Sequence, residues 1–406
     1  MKALVIAPQP FFTPRGTPFS VYYRTLVTAS LGVEVDLLTY GEGQDVDIPG
    51  VRVIRLPNFL WRRPVRIGPS MPKLFLDLFL FFWTLGLLLR NRYQVVHAHE
   101  ESVFFCRFLK PLFGFRMIYD MHSSLPQQLT NFNFSRSRLL LGVFTWLENS
   151  SIRAADMVIT VCPALADYVR ELGISDGKHV LIENSIFEPV RLVGDKPAAI
   201  CAPPAAAAEL RLDPRAALGL PPESKLLVYA GTLEHYQGIE ILLQAFKLVT
   251  AHNSHAHLVI CGGSPEQVTR YQAEADALEL GEQCRFLGRV PQTTAHAYNA
   301  FADVLLSPRR EGMNTPLKIY EQLASGTPLV ATRIHSHTQV LDDSVAFLVD
   351  PEPRDMARGL LEALDPRGRG AGVAANARAL YEDKYSRQAY EQKMRTLLTS
   401  VGVCAA

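Results

Sequence analysis

The chain has 406 residues, with 41 Lys and Arg against 40 Asp and Glu, and 48% of it is hydrophobic. That length predicts two or three domains with sizeable cores, and a formal net charge of +1 argues against general nucleic-acid binding while leaving room for a local basic cleft. Six cysteines, at 106, 162, 201, 261, 284 and 404, show no Cys-x-x-Cys spacing, which predicts reduced, buried thiols of a cytosolic protein and argues against disulfides or a zinc site.

The chain opens directly on a predicted strand, Ala3–Ile6, with no charged-then-apolar leader. Short runs rich in Val, Ile and Leu follow at Glu34–Thr39, Val51–Leu56, Gln94–His99, Met117–Asp120, Met157–Val161 and His179–Glu183. Helical stretches are predicted between them at Val21–Ala29, Leu74–Arg90, Arg138–Ala154 and Pro163–Leu172. Apolar strands separated by helices predict a parallel sheet covered on both faces. The apolar run Leu74–Leu89 is broken by Asp77, Thr84 and Gly86, and falls short of the ~20 residues that span a bilayer.

From 187 to 223 the composition shifts to Pro and Ala, which predicts a linker. The alternation then resumes, with strands predicted at Leu226–Tyr229, His257–Cys261, Arg285–Leu287, Val304–Ser307, Pro328–Thr332 and Ala346–Val349. Ile239, Leu242, Leu243, Phe246 and Val249 recur at helical spacing. A last helix is predicted over Arg387–Thr399. Two such halves place a ligand cleft between them, at the carboxyl ends of the strands. Neither half carries the Gly-x-Gly-x-x-Gly turn of a dinucleotide enzyme.

The segment Ser307–Pro328 carries the densest chemistry. It reads as a strand end, a polar loop, a short helix and a Gly-Thr-Pro turn. Thr315 is predicted as the helix cap and Pro316 as its first residue. The helix start then offers free N–H groups and a positive dipole end to a phosphate. Lys318 lies one turn in, and Glu321 follows on a neighbouring part of the same face. That pattern fits a nucleotide, with Lys318 for the diphosphate and Glu321 for the ribose. A surface helix with an ordinary Lys–Glu pair has the same signature.

Glu321-Gln322-Leu323-Ala324-Ser325-Gly326-Thr327-Pro328-Leu329-Val330-Ala331 resembles the Glu-Ala-x-Ala-x-Gly-x-Pro-Val-Val-Ala signature of retaining glycosyltransferases of family 4. Ala230-Gly231-Thr232-Leu233 with Gln237-Gly238-Ile239-Glu240, Ile260-Cys261-Gly262-Gly263-Ser264, Phe286-Leu287-Gly288-Arg289-Val290 and Ile182-Glu183-Asn184-Ser185-Ile186 are similar to further blocks of that family, in the same order. The resemblance implies the GT-B fold, two Rossmann-like α/β/α domains with parallel sheets facing across a cleft. It implies an N-terminal acceptor-side domain over 1–186, a linker over 187–223, a donor-binding domain over 224–384, and a helix within 385–406 that returns to the first domain. Three departures stand out. Thr232 and Gln237 occupy positions where the family commonly has Arg and Lys. Asn314-Thr315-Pro316-Leu317-Lys318 replaces its Gly-Phe-Gly pattern, as in a variant branch. The family's first glutamate aligns with Met313, and Glu311 is the nearest acid.

What the resemblance implies for the site is a nucleoside-diphosphate sugar as donor, a hydroxyl acceptor (glycan, lipid-linked or small molecule), and no cofactor or metal. His122, Lys318 and Glu321 are the expected catalytic residues, with His122 on the transferred sugar. Donor contacts are expected from Arg15, Gly16, Gly231, Thr232, Arg289, Arg309, Arg310, Glu311, Asn314, Thr315, Pro316 and Leu317, and acceptor-side contacts from Glu100 and Ser123. Gly16 permits close backbone approach after the first strand and Arg15 offers a phosphate partner; a Pro-bounded turn reads equally well. Glu100 reads either as facing the acceptor or as a solvated strand-end carboxylate. His97 and His99 share a strand face, but no third metal ligand follows at suitable spacing. Trp61–Arg66, Lys73 and the apolar run to Leu89 suit either docking on an anionic membrane or burial against the first sheet. The implied function is a retaining, metal-independent hexosyltransferase-like enzyme of cell-envelope glycan synthesis, cytoplasmic or peripheral at the inner face of the membrane. A sugar-nucleotide 2-epimerase of the same fold and a non-catalytic sugar-nucleotide-binding protein are the alternatives.

Overall fold

The computed structural model describes residues 1–13, 16–57, 70–126, 138–184, 190–193 and 213–403, the side chains of 138 and 140 excepted. The chain divides into two compact units, one formed by residues 1–196 with 387–406 and the other by 197–386. Of the expected positions, Arg15, the basic segment 61–66, Cys201 and Cys404 lie outside the described residues.

The first unit contains strands β1 (Lys2–Ala7), β2 (Glu34–Thr39), β3 (Val51–Arg55), β4 (Val95–His99), β5 (Arg116–Met121), β6 (Met157–Thr160) and β7 (His179–Leu181). They form a parallel sheet in the order β3-β2-β1-β4-β5-β6-β7. Helices α1 (Gly16–Ser30), α2 (Met71–Arg90), α3 (Ser102–Phe113), α4 (Arg138–Ala154) and α5 (Pro163–Glu171) cover it. The second unit contains β8 (Lys225–Ala230), β9 (Ala256–Cys261), β10 (Cys284–Gly288), β11 (Val304–Ser307), β12 (Leu329–Thr332) and β13 (Phe347–Val349). These are parallel in the order β10-β9-β8-β11-β12-β13. They alternate with α6 (Ile239–Thr250), α7 (Pro265–Ala277), α8 (Gln292–Ala300), α9 (Leu317–Ser325), α10 (Pro353–Leu364) and α11 (Gly370–Lys384). The closing helix α12 (Arg387–Ser400) belongs to the first unit.

Burial explains why these runs are strands. All five residues of β4 and all four of β6, β11 and β12 are buried, as expected of sheets covered on both faces. Cys106, Cys162, Cys261 and Cys284 are buried free thiols. In each sheet the build direction reverses beside the first strand, between β1 and β4 and between β8 and β11. At such a switch point the connections leave in opposite directions and open a crevice at the strand carboxyl ends.

Three differences from the sequence expectations have local causes. Gly16-Thr17-Pro18 begins α1 instead of lying in a loop, because Pro18 is pre-organised for the first turn. Residues 214–220 fold onto the second unit instead of continuing the linker. Asp213 caps the turn Pro214–Ala217, and Arg215 Nη2 donates to Asp303 Oδ2 at 2.6 Å. Helix α2 reaches back to Met71, with Pro72 in its first turn, and so has 20 residues. By length and composition alone it is long and apolar enough to cross a membrane.

Candidate active site

In the second unit the loops after β8, β9 and β11 pack backbone against backbone. Gly262 (φ +121°) lies so close to Gly231 that an added Cβ would stand 1.8 Å from the Gly231 oxygen, and one on Gly238 (φ +72°) would stand 2.1 Å from the Pro308 oxygen. Neither place has room for a side chain. His337 supports the loop that follows β11: its Nδ1–H donates to the Thr332 carbonyl at 2.8 Å, and its Nε2 accepts from the Ser307 hydroxyl at 3.0 Å. Burial lowers the His337 pKa to about 3, so it stays neutral. Thr332 Oγ1 donates to the Arg309 carbonyl. The Arg309 guanidinium sits 5.2 Å from the Tyr236 ring centre and donates to the carbonyls of Glu311 (2.6 Å) and Asn314 (3.2 Å). Arg309 thus shapes its own loop as well as bringing charge to it. Arg310 is exposed and faces His235 Nε2 at 3.4 Å.

Helix α9 begins at Leu317 with Pro316, not Thr315, at its cap position. Pro316 keeps an extended ψ of 137°, so Thr315 lies one residue too far out to reach the first-turn N–H groups. The Thr315 hydroxyl is buried without a hydrogen-bond partner among the described residues. Proline has no side-chain acceptor, so the helix start receives no cap from it. Lys318 therefore lies in the first turn. Its Nζ is 4.1 Å from the Tyr229 ring centre and is fully covered, again without a hydrogen-bond acceptor among the described residues. Burial, followed by the charge of Arg309, lowers its pKa to about 7. A buried ammonium without a counter-charge is costly, and one aromatic face returns only about 2 kcal/mol. An anion placed there would supply the missing counter-charge.

Glu321 follows one turn along, mostly buried, with Oε2 3.6 Å from His296 Nε2. The proximity of this carboxylate raises the His296 pKa. Thr232 and Gln237 meet each other, Gln237 Nε2 donating to Thr232 Oγ1 at 3.3 Å, while Tyr229 OH donates to the Thr232 carbonyl at 2.6 Å. Asn314, Pro316 and Leu317 are half-buried beside Lys318, whereas Glu311 and Arg289 are exposed on the same carboxyl-end side of the sheet.

The first unit carries a second constellation at the ends of β4 and β5. His97, His99 and His122 stack as a ladder, with ring centres 4.6 and 5.2 Å apart. His97 Nε2 donates to Asp120 Oδ2 at 3.1 Å. His99 Nδ1 and His122 Nε2 share a hydrogen bond of 2.9 Å, and the latter lies 3.4 Å from Asp120 Oδ1. Arg24 is buried beneath them, its Nε donating to Asp120 Oδ2 at 2.7 Å, Nη2 to the Ile182 carbonyl at 2.8 Å, and Nη1 to Tyr390 OH of α12 at 2.9 Å. Lys393 of α12 donates to Glu183 at 2.7 Å. Burial alone would raise the Asp120 pKa, but Arg24 and the imidazoles hold it well below the usual carboxylate range. Burial lowers His122 to about 4 and His99 well below 6.5, so both are neutral at pH 7.

Asp120 supplies the third potential metal ligand that strand spacing does not reveal, since the ligand atoms of His97, His99 and Asp120 lie within 4.8 Å of one another. The donor set nevertheless suits an ion pair better, because Oδ2 already faces the Arg24 guanidinium and a divalent ion there would meet that buried cation. Ser123 follows His122, half-buried. Glu100 is not the solvated carboxylate of the simpler reading. It has a left-handed backbone (φ 48°), its Oε2 lies 3.8 Å from Lys73 Nζ, and burial raises its pKa to about 7.

Sequence reasoning missed Arg24, Tyr229, His296 and His337. Arg24 left a signal, as the sole charged residue in the sequence of α1. The others contribute only through tertiary contacts.

The chain matches the family Glycosyl transferases group 1 over residues 211–380 and Glycosyl transferase 4-like domain over 25–185. The chain belongs to glycosyltransferase family 4. D-inositol 3-phosphate glycosyltransferase of Corynebacterium diphtheriae is 32% identical over 171 residues, covering 40% of each chain. This chain therefore matches well under half the length of that relative. An uncharacterized glycosyltransferase of Methanocaldococcus jannaschii is 26% identical over 376 residues, 87% of this chain and 86% of the relative. Among solved structures, sucrose-phosphate synthase from Thermosynechococcus elongatus superimposes with a TM-score of 0.71 at 20% identity, covering 99% of both chains. HepE of Anabaena in complex with UDP gives 0.70 at 16% identity, covering 98% of this chain and all of the other. These likenesses define the GT-B fold.

Proposed function

We propose that the protein is a retaining glycosyltransferase that moves a sugar from a nucleoside-diphosphate sugar to a hydroxyl acceptor. The observation that carries this reading is the buried Lys318 ammonium at the uncapped start of α9, which lacks an anionic partner among the described residues. A diphosphate supplies that partner, and the helix N–H groups complete its coordination. Arg309, Arg310 and Arg289 add charge, and Glu321 takes the ribose hydroxyls. His122, held neutral by burial, hydrogen-bonds the transferred sugar. Structures of the same fold, HepE in complex with UDP and starch synthase IV bound to ADP, support a nucleotide as ligand.

The chemistry asked of the protein is electrostatic. Negative charge grows on the departing diphosphate, and preorganised cations and N–H groups stabilise it. The departing phosphate takes the acceptor proton as the acceptor attacks from the same face. Neither a cofactor nor a metal is required. The reduced thiols fit a cytoplasmic location, and cell-envelope glycans are the product class we favour.

The test is a thermal-shift screen with UDP-, GDP- and ADP-sugars, followed by mass spectrometry of the products with and without EDTA. One nucleotide class should raise the melting temperature and be consumed, with EDTA having no effect. NMR of the anomeric proton reads out retention. Binding without any hydrolysis or transfer points instead to a non-catalytic sugar-nucleotide-binding protein, and stabilisation by none of them refutes the donor assignment.

A further inference from the structure

We propose that helices α2, α3 and α4 form a docking face for the surface of an anionic lipid bilayer. Seventeen large apolar side chains are exposed among the described residues. Seven of them lie on α2, two on α3 and three on α4. Isolated exposed apolar residues are ordinary, but contiguous patches of this kind mark interaction surfaces.

The three helices lie side by side. Phe81 of α2 meets Phe105 of α3 at 5.8 Å between ring centres, and Arg107 of α3 lies 4.8 Å from the Trp146 ring of α4. Helix α2 buries one stripe, Leu76, Leu80, Thr84 and Leu88, at a spacing of four, and its leucines enter the core beneath the sheet. The opposite side would be polar on an ordinary surface helix. Here it presents Leu78, Phe82 and Leu89, the last 70% exposed. Leu112, Leu139 and Trp146 extend the patch across α3 and α4, at 75%, 80% and 59% exposure. Leu139 and Trp146, with Gly142 and Val143, also line a shallow apolar recess of about 300 Å³.

Because its buried stripe is part of the core, α2 lies along the protein surface instead of crossing a membrane. A helix in that setting inserts its apolar side about 5–10 Å into the headgroup boundary, and Trp83 and Trp146 are residues suited to that depth. The charges select the occupant. The described side chains of these helices include five basic residues, Lys73, Arg90, Arg107, Lys110 and Arg153, and two acids. Both acids are turned inward: Glu148 accepts from Ser124 Oγ and the Leu125 N–H at 2.8 Å each, and Asp77 accepts from the buried Tyr40. The exposed charges among the described side chains of these helices, Arg90 and Arg153, are therefore positive. A second copy would bring like charges together, whereas an anionic bilayer attracts them. A lipid-anchored acceptor follows as the substrate class that such docking serves, and that extension alone rests on the function proposed above.

The test is flotation of the full chain with vesicles of phosphatidylcholine, with and without about one third phosphatidylglycerol. The wild-type protein should float with the anionic vesicles, and its tryptophan emission should shift to the blue. Leu78→Gln with Phe82→Gln, and separately Leu139→Gln with Trp146→Gln, should each reduce binding at least about tenfold, with unchanged melting temperature and donor-induced thermal shift. Absence of flotation overturns the proposal, as does equal flotation on neutral vesicles. It is equally overturned by a self-associated form in sedimentation velocity that either pair of substitutions dissolves. Because donor binding is measured separately in solution, failure here leaves the donor assignment standing, and the reverse.

Discussion

Lys318→Met removes the buried ammonium while keeping an unbranched chain against Tyr229. The folded pKa of about 7, against 10.5 in the unfolded chain, sets the expected size of the effect. Between those values the unfolded chain holds a proton that the folded one has released, so wild-type stability rises with pH across that window. At pH 7 the penalty reaches at most about 4 kcal/mol, at ~1.4 kcal/mol for each pH unit between the two values. Lys318→Met should therefore be more stable than wild type in urea at pH 7, and the difference should shrink towards pH 10. Ligand binding moves the other way. A bound diphosphate favours the charged lysine, which makes up about one half of the population at pH 7 and about one hundredth at pH 9. Above pH 7 the terminal phosphate is already doubly charged, so the lysine alone titrates. The Kd of the stabilising nucleoside diphosphate, read by calorimetry, should weaken by up to about fiftyfold from pH 7 to pH 9. The variant should bind weakly with a flat profile, and Lys318→Arg should bind with a flat profile as well. A flat wild-type profile, or a variant less stable than wild type at pH 7, refutes the assignment of Lys318 as the buried cation for the diphosphate.

Further outcomes follow from other parts of the two units. Gly262→Ala forces a Cβ against the Gly231 oxygen in a left-handed backbone and should cost about 2 kcal/mol or more, seen as a lower melting temperature together with weaker nucleotide binding. Glu321→Ala should weaken a nucleoside diphosphate about tenfold or more while leaving inorganic pyrophosphate unaffected, because only the former carries a ribose; equal losses for both would remove the ribose assignment. Asp120→Asn strands the buried Arg24 charge and should cost about 3–5 kcal/mol in urea unfolding, with much of it recovered by adding Arg24→Met. His99, His122 and His337 stay neutral in the folded state, whereas the unfolded chain takes up protons below pH 6.5. Stability should thus fall by about 3 kcal/mol between pH 6.5 and 5.5, and an unchanged urea midpoint would contradict their burial as neutral rings.

The strands were legible because parallel strands covered on both faces are continuous apolar runs. Glu34–Thr39 and Val304–Ser307 carry the same limits in sequence and structure. Helix α3 was not, because Ser102–Phe113 is largely apolar and includes Pro111, so neither periodicity nor composition separates it from a loop or a strand. The helix cap at 315–316 was misplaced by one residue because both residue types favour a helix start, and only the backbone angle of Pro316 decides between them. The two faces of α2 cannot be told apart from its sequence either: Leu76 and Leu78 are chemically the same, and only the position of the sheet buries one and exposes the other. The imidazole ladder was half legible. Alternation on β4 puts His97 and His99 on one face, but Asp120, His122 and Arg24 join them through pairing of β4 with β5 and packing of α1.

Thr232 and Gln237, at positions where the resembled family commonly has Arg and Lys, bear on how the proposed donor site should respond to its surroundings. A lysine on an open loop keeps its charge at every physiological pH and binds a phosphate with little change of its own. Lys318 instead starts α9, its Nζ covered and facing an aromatic ring, where burial brings its titration to about pH 7. Moving the cation inward leaves less charge on the surface and makes its protonation part of the binding step. On the proposed function, the stability given up by burying the ammonium is regained when the diphosphate binds. In the proposed donor site, affinity itself should then vary with pH, which the calorimetric profiles of wild type and Lys318→Met test.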